Sequence, residues 1–297
     1  MTTFREVTEA WIASREHCAG SLGRIQFWVD QFGPIPITDV SEEDVDRALE
    51  VLVARGKLRP GRNGQPPTSA GEPLAGSTIN RFISTLAGIF KYARRVRALP
   101  RSHIPPTKGI EKAPEPADPD KYFRPEEVDD LIKVARVVDQ KWRKISALII
   151  LGFHTGLRVG NLLNLKWQDI DLDARTASVA VTKNGRPHIA PLTDRCMEEL
   201  SRLRRGHPNE LVFSSYRNDG PFNYRTLWGK VCKEAGYEGR TFHWLRHGCG
   251  SALATAGVSQ AQIMQVMGHR TLVASARYMH SNVNDRQAVV GRVFGES

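Results

Sequence analysis

Cysteine is scarce in this 297-residue sequence, and the four that occur, Cys18, Cys196, Cys232 and Cys249, stand far apart. There is no Cys-x-x-Cys pair and no histidine at zinc-finger spacing. Reduced thiols are expected, not a disulfide framework or a cysteine-held metal. Long apolar runs are missing as well. The longest, Ile145 to Phe153, is far shorter than the ~20 residues needed to cross a bilayer. Glu6 and Glu9 interrupt the stretch where a signal peptide would be basic and then apolar. No internal repeat and no low-complexity tract occurs. These absences lead to the expectation of a cytoplasmic protein with no membrane partner.

Charge of one sign, by contrast, is in excess. Lys and Arg number 42 against 32 Asp and Glu, a net charge of +10. That balance favours a polyanionic partner, nucleic acid first and an anionic membrane surface second. With 40% hydrophobic residues and a mean hydropathy of −0.37, the chain can bury a real core. Its length suggests two domains.

Apolar spacing predicts a helix over residues 4–18 and a second one capped by Ser21 and ended by Gly33-Pro34. Ser41-Glu42-Glu43-Asp44 is close to a capping box and starts a third. Residues 56–76, rich in Gly and Pro with scattered positive charge, read as a loop. Ser77 caps a long helix to about Arg97 whose basic end includes Lys91, Arg94 and Arg95. Together with Lys57, Arg59 and Arg62 in the loop, and Arg81 on the same helix, these residues are candidate phosphate contacts. Six prolines between Pro100 and Pro119 predict a semi-stiff extended linker over 101–122. The expected domains are therefore 1–100, all helical, and 123–297.

The second domain opens on a helix with Pro125 in its first turn. A very apolar helix follows from Lys144 to His154, which must be buried and which Thr155-Gly156-Leu157-Arg158 breaks. Ala177–Val181 and His188–Leu192 are strand-like, and Asn184-Gly185 between them is a strong hairpin signal. The remainder is mostly helical. The expected class is mainly α with a small β-hairpin or sheet.

Chemistry concentrates in separated segments of this domain. Arg158, Arg246, His243 and His269 around Tyr278 would suit a phosphodiester with a phenol ready to attack it. Guanidinium groups are permanently charged and bind two phosphate oxygens at once, which fits Arg158 and Arg246. His269 can donate another hydrogen bond to the same oxygens. The phenol, with a reference pKa of ~10, needs a proton acceptor or a strongly positive site, and His243 is the candidate base. Each residue alone has an ordinary structural explanation. The joint pattern decides.

Quoted in order, these segments resemble the tyrosine recombinase, or phage integrase, family. Thr155-Gly156-Leu157-Arg158, with Leu162, Leu165, Trp167 and Asp169-Ile170-Asp171 after it, is similar to that family's first arginine box. Thr182-Lys183-Asn184-Gly185-Arg186 with Ala190-Pro191-Leu192 resembles its lysine hairpin. His243-Trp244-Leu245-Arg246-His247 matches its His-x-x-Arg box. Met267-Gly268-His269 and Tyr278-Met279-His280 match its closing histidine and nucleophile. The resemblance implies a helical core-binding (SAM-like) domain followed by an α+β catalytic domain. It implies Lys183 as general acid for the departing 5′ oxygen, Arg186 beside it as a DNA contact, and a 3′-phosphotyrosyl intermediate.

The partners so implied are double-stranded DNA and four protomers on two sites joined through a Holliday junction, with no metal and no cofactor. Integration or excision of a phage or other mobile element is the leading expectation. Chromosome-dimer resolution is the alternative within the family, a type IB-like topoisomerase the enzymatic one, and a non-catalytic DNA-binding protein the third. Two positions depart from the pattern: Asn161, where an acidic residue is usual, and Trp244 inside the His-x-x-Arg box. Because the sequence opens on the helical domain, recognition of remote arm sites is not expected. The apolar stripe Val289, Val290, Val293 and Phe294 in the tail has two readings, packing on its own domain or docking on a neighbouring protomer, and the resemblance implies docking.

Overall fold

The computed structural model describes residues 2–59, 61, 67–115, 121–180, 187–217, 220–269, 271–276, 278 and 295. The chain forms two compact units, Met1–Ala117 and Asp118–Ser297.

In the first unit, α1 (Phe4–Ala13) starts at a capping box in which Thr3 and Glu6 satisfy each other's backbone. Helix α2 (Ala19–Phe32) begins at Cys18, not after Ser21, and Ser21 instead meets His17 at 3.3 Å. Ser41 and Asp44 form the capping box of α3 (Glu42–Arg55). Two short exposed strands, β1 (Leu58–Arg59) and β2 (Thr68–Ser69), pair antiparallel within the stretch expected to be irregular loop. The first unit is therefore not purely helical. Helix α4 (Gly76–Arg95) completes it, starting at Ala75 with no side-chain cap. Phe4, Trp28, Phe32, Leu86 and Phe90 fill the core, and Trp28 Nε1 donates to the Phe82 carbonyl at 2.9 Å.

The proline-rich stretch, as far as residue 115, belongs to this unit instead of standing apart as a linker. Asn80 of α4 donates to the Ala113 carbonyl at 2.9 Å and accepts from the Ala113 amide at 2.8 Å. Leu99 is buried, and His103 stacks on Phe90 with ring centres 6.0 Å apart. Gly76 lies against the Pro114 backbone, where no side chain would fit. Prolines lose little entropy on ordering, so a few such bonds suffice to dock the segment.

The second unit is built around α6 (Lys144–Thr155), whose residues from Lys144 to Phe153 are all buried. Against it pack α5 (Pro125–Val138), α7 (Val159–Leu163), α8 (Asp194–Ser201) and α10 (His243–Thr255). Asp139 accepts the amides of Lys144 and Ile145, which caps the entry to α6. Buried Glu199 of α8 takes hydrogen bonds from Ser146 at 2.7 Å and from Arg136 and Arg202, which ties α5, α6 and α8 together.

Three strands, β3 (Ile170–Asp171), β4 (Thr176–Val179) and β5 (His188–Pro191), form an antiparallel sheet in that order. Strand β3, two residues long, was too short for any alternation to reveal it in the sequence. Strands β4 and β5 pair from Thr176–Pro191 to Val179–His188, which makes the hairpin expected there. The Lys183–Arg186 turn lies outside the described residues. Helices α9 (Arg225–Glu234), α11 (Gln260–Val266) and α12 (Leu272–Ala276) complete the unit. Among the described residues no helix is long and apolar enough to cross a membrane.

Candidate active site

The first arginine box is a helix stop followed by a helix start. Thr155 closes α6 by returning its hydroxyl to the Leu151 carbonyl and accepting from the Leu157 amide. Gly156 then turns the chain with φ of 61°, a conformation that costs other residues about 1–2 kcal/mol. A β-carbon there would also stand 3.2 Å from the Cys249 sulfur and 3.3 Å from Met267. Arg158, partly exposed, occupies the cap position of α7, and its carbonyl accepts the amides of Asn161 and Leu162. The hydrogen bond between Asn161 and Arg158 is thus a backbone one, which does not depend on whether residue 161 carries an amide or a carboxylate.

Helix α10 carries His243, Arg246, His247 and Gly250 at i, i+3, i+4 and i+7, a single stripe. Arg246 is only 4% exposed, and its guanidinium donates to the carbonyls of Gly156 and, at 2.7 Å, Met267. One side chain therefore joins the α6–α7 turn, α10 and the end of α11. Trp244 points away from this stripe. It packs on Phe123 and lies under the Arg240 guanidinium, an aromatic role that accounts for an unusual residue inside the box.

Beyond α11, Gly268 turns with φ of 60° and brings in His269. His188 of β5 backs this turn, its Nδ1 lying 3.3 Å from where a Gly268 β-carbon would stand. Burial holds the His188 pKa below its usual value and the charge of Arg246 adds to this, while the Val266 carbonyl opposes. His269 Nδ1 pairs with the buried Ser275 hydroxyl at 2.7 Å, and its ring lies nearly parallel to that of Tyr278, centres 6.2 Å apart. The Tyr278 amide donates to the Ser275 carbonyl at 3.1 Å. The phenol ring rests on Gly250, where a β-carbon would come within 2.7 Å. Its Oη is 3.0 Å from His247 Nδ1.

The structure thus gathers Arg246, through the Met267 carbonyl, with His269 and Tyr278, whose rings lie side by side, and His243 is edge-on to His247 at 4.6 Å between ring centres. Lys183, Arg186, Arg62 and residues 284–294 of the tail lie outside the described residues. Lys57, Arg59, Arg81, Lys91, Arg94 and Arg95 are all exposed on the first unit. Lys57 is engaged by Glu72 at 2.7 Å, and Arg94 donates to the Arg101 carbonyl at 2.6 Å. Sequence reasoning did not assign His247, Gly250 or Ser275. Helical spacing from His243, four and seven residues on, was the available signal for the first two. Among the described residues no cluster of three His, Cys, Asp or Glu side chains is placed to hold a metal ion. The Cys249 thiol, buried behind Gly156, is pushed up to about 12 by desolvation and is not a nucleophile at neutral pH.

The sequence profile of the phage integrase family matches residues 121–285, more than half of the chain. The integrase of Salmonella phage P22 is 25% identical over 99% of this chain and 81% of its own length. The type 1 fimbriae regulatory protein FimE of Escherichia coli K12 is 31% identical over 46% of this chain and 73% of its own. Among solved structures, the Tn1549 transposon integrase in complex with transposon right-end DNA superposes with a TM-score of 0.74. That match covers 98% of this chain and 99% of the other at 18% identity. A lambda integrase dimer bound to a core site gives a TM-score of 0.66 over 95% of both chains, at 18% identity. With the arginine boxes, the histidines and the terminal tyrosine drawn into one place, the chain belongs to the phage integrase family, the tyrosine recombinases.

Proposed function

We propose that this protein is a site-specific DNA recombinase, an integrase of a phage or other mobile element, and that Tyr278 is its nucleophile. The observation that carries this reading is the meeting of the Tyr278 phenol with the His243–Arg246–His247 stripe of α10, a 3.0 Å contact to His247 included. Attack by Oη on a phosphodiester spreads negative charge over the equatorial oxygens. Arg158, Arg246 and His269 neutralise that charge, the arginines by paired N–H donors. Lys183 protonates the departing 5′ oxygen. Imidazole from the first two turns of α10, His243 and His247, serves the phenol.

The product is a 3′-phosphotyrosyl ester with a free 5′-hydroxyl. The ester keeps the energy of the broken bond, so rejoining needs neither ATP nor metal. Attack by the 5′-hydroxyl of a second duplex exchanges strands through a Holliday junction, with four protomers on two sites. Lys57, Arg59, Arg62, Arg81, Lys91, Arg94, Arg95 and Arg186 supply sequence-independent phosphate contacts. The Lys57–Glu72 pair is an exposed one of little net strength, which a phosphate can displace. The tail stripe Val289, Val290, Val293 and Phe294 docks on a neighbouring protomer, so removing residues 284–297 abolishes cooperative assembly on DNA. The reaction takes place where cellular DNA is accessible, in the cytoplasm.

The test is covalent trapping. The protein is mixed with nicked, fragmented DNA, quenched in detergent and probed for protein-linked ends, with Tyr278→Phe as control. A Tyr278-dependent adduct is expected, and sequencing its ends gives the target. Salt-sensitive DNA binding without any adduct would instead favour a DNA-binding protein on a recombinase fold.

A further inference from the structure

Helix α10 presents two histidines to the nucleophile, one turn apart, and they are not equivalent. His247 Nδ1 stands 3.0 Å from Tyr278 Oη, hydrogen-bond distance, and the two rings are 6.0 Å apart at 51°. His243, in the first turn of α10 and exposed, reaches the edge of the His247 ring, with centres 4.6 Å apart and planes at 85°. Gly250, one turn beyond His247, leaves the phenol ring in contact with the helix, which fixes Oη at the height of His247. On the far face the ring lies along His269, itself held by Ser275. The phenol ring is thereby held beside α10 and His269, with His247 Nδ1 at hydrogen-bond distance from Oη.

We propose that His247 is a catalytic residue, the direct proton acceptor of the Tyr278 phenol, and that His243 acts on it as a positioning residue. This rests on the recombinase reading above. In the resting site His247 is neutral, with its proton on Nε2 and the Nδ1 lone pair toward Oη. As the Oη–P bond forms and the P–O5′ bond breaks, the phenolic proton moves to Nδ1, giving an imidazolium. The 5′ oxygen takes its proton from Lys183. Rejoining reverses both transfers, and the imidazolium returns its proton to the phenolate. Of the titratable and charged groups on the elements packed here, Arg246 of the same helix and Arg158 at the start of α7 are permanently charged, His243 and His269 are imidazoles, and His188 of β5 is held toward its neutral form by burial. The fixed positive charge favours the neutral form of His247 and the anionic form of the phenol.

The hydrogen bond is tested without DNA. The protein is labelled with 13C at tyrosine Cζ, and Tyr278→Phe identifies the Tyr278 signal among the six tyrosines. As pH rises through the range of histidine titration, about 5.5 to 8, the Tyr278 signal should shift with the charge on His247. His247→Phe and His247→Asn should both abolish that inflection, the second while keeping a polar partner for the phenol. His243→Phe should shift the midpoint of the inflection without abolishing it. Persistence of the inflection in the His247 variants, or its loss only on His269→Phe, would overturn the proposal.

On DNA recovered by trapping, His247→Phe should slow adduct formation about 100-fold or more and remove the low-pH limb of its rate profile. His247→Asn should bind that DNA normally yet remain slow. An unchanged rate and profile in both variants would also overturn the proposal. Failure of the wild-type protein to form an adduct would sink the recombinase reading, while the 13C titration would still decide the role of His247.

Discussion

The Arg246 guanidinium donates to the Met267 carbonyl at 2.7 Å, so a residue drawn from the middle of the catalytic unit fixes the end of α11. It also reaches the Gly156 carbonyl in the α6–α7 turn. A side chain expected to bind phosphate is therefore a structural clasp as well. Its planar fork lets it serve both carbonyls at once and still turn other donors elsewhere.

Arg246→Lys tests this double duty. A single ammonium cannot span both carbonyls, so the folded state should lose about 1–3 kcal/mol in urea unfolding. Adduct formation should fall at least about 100-fold, beyond what partial unfolding explains. A variant stable as wild type would show that the clasp carries no stability.

Lys183 can be isolated by changing the leaving group. Lys183→Ala should lower cleavage of ordinary DNA by about 100-fold or more. A substrate whose bridging 5′ oxygen is replaced by sulfur leaves readily as a thiolate, and the variant should then cleave at near wild-type rate. Rates of covalent adduct formation on both substrates check this. No recovery on the sulfur substrate would exclude a proton-donor role.

Asn80 holds the 98–115 segment to α4 by reciprocal bonds with Ala113 and a further one to Glu115 at 2.6 Å. Asn80→Ala leaves a peptide group without its partners, which should cost about 1–3 kcal/mol. The release is local, so limited proteolysis should open new sites between residues 98 and 115 before the unit unfolds. An unaltered digestion pattern would show the segment to be held by Leu99 and His103 instead.

His154 and His188 both titrate below the usual 6.5, burial being the main cause in each. The unfolded chain therefore takes up protons that the folded chain refuses. Stability is fully present above about pH 6.5 and declines as pH falls toward the lowered folded values. Urea midpoints at about pH 7.5 and about pH 5.5 should differ in the wild type and differ less in His154→Gln. Equal slopes would show that His154 does not couple to folding.

The order of the motifs, the buried helix from Lys144 to His154 and the capping box at Ser41 could be read from residue types, because they follow from local hydrogen bonding and periodicity. Tyr278, Arg246 and His269 could be picked out as a set only because their motifs occur together in the order the family resemblance implies. The fate of the proline-rich segment could not. Prolines announce extended backbone, but whether it docks depends on a partner 33 residues away, Asn80 on α4. Strand β3 escaped for a similar reason, being defined by its pairing with β4 and not by its own two residues.

The sequence alone determined which chemical groups the protein owns and which family's arrangement they follow, because side-chain chemistry and local periodicity are properties of the chain. Only the tertiary structure decided which histidine meets the phenol. His243 and His247 share one stripe of α10, and spacing cannot rank them. The Gly268 turn, the His269–Ser275 bond and the bare surface of Gly250 set the depth at which the tyrosine ring lies, and that depth selects His247.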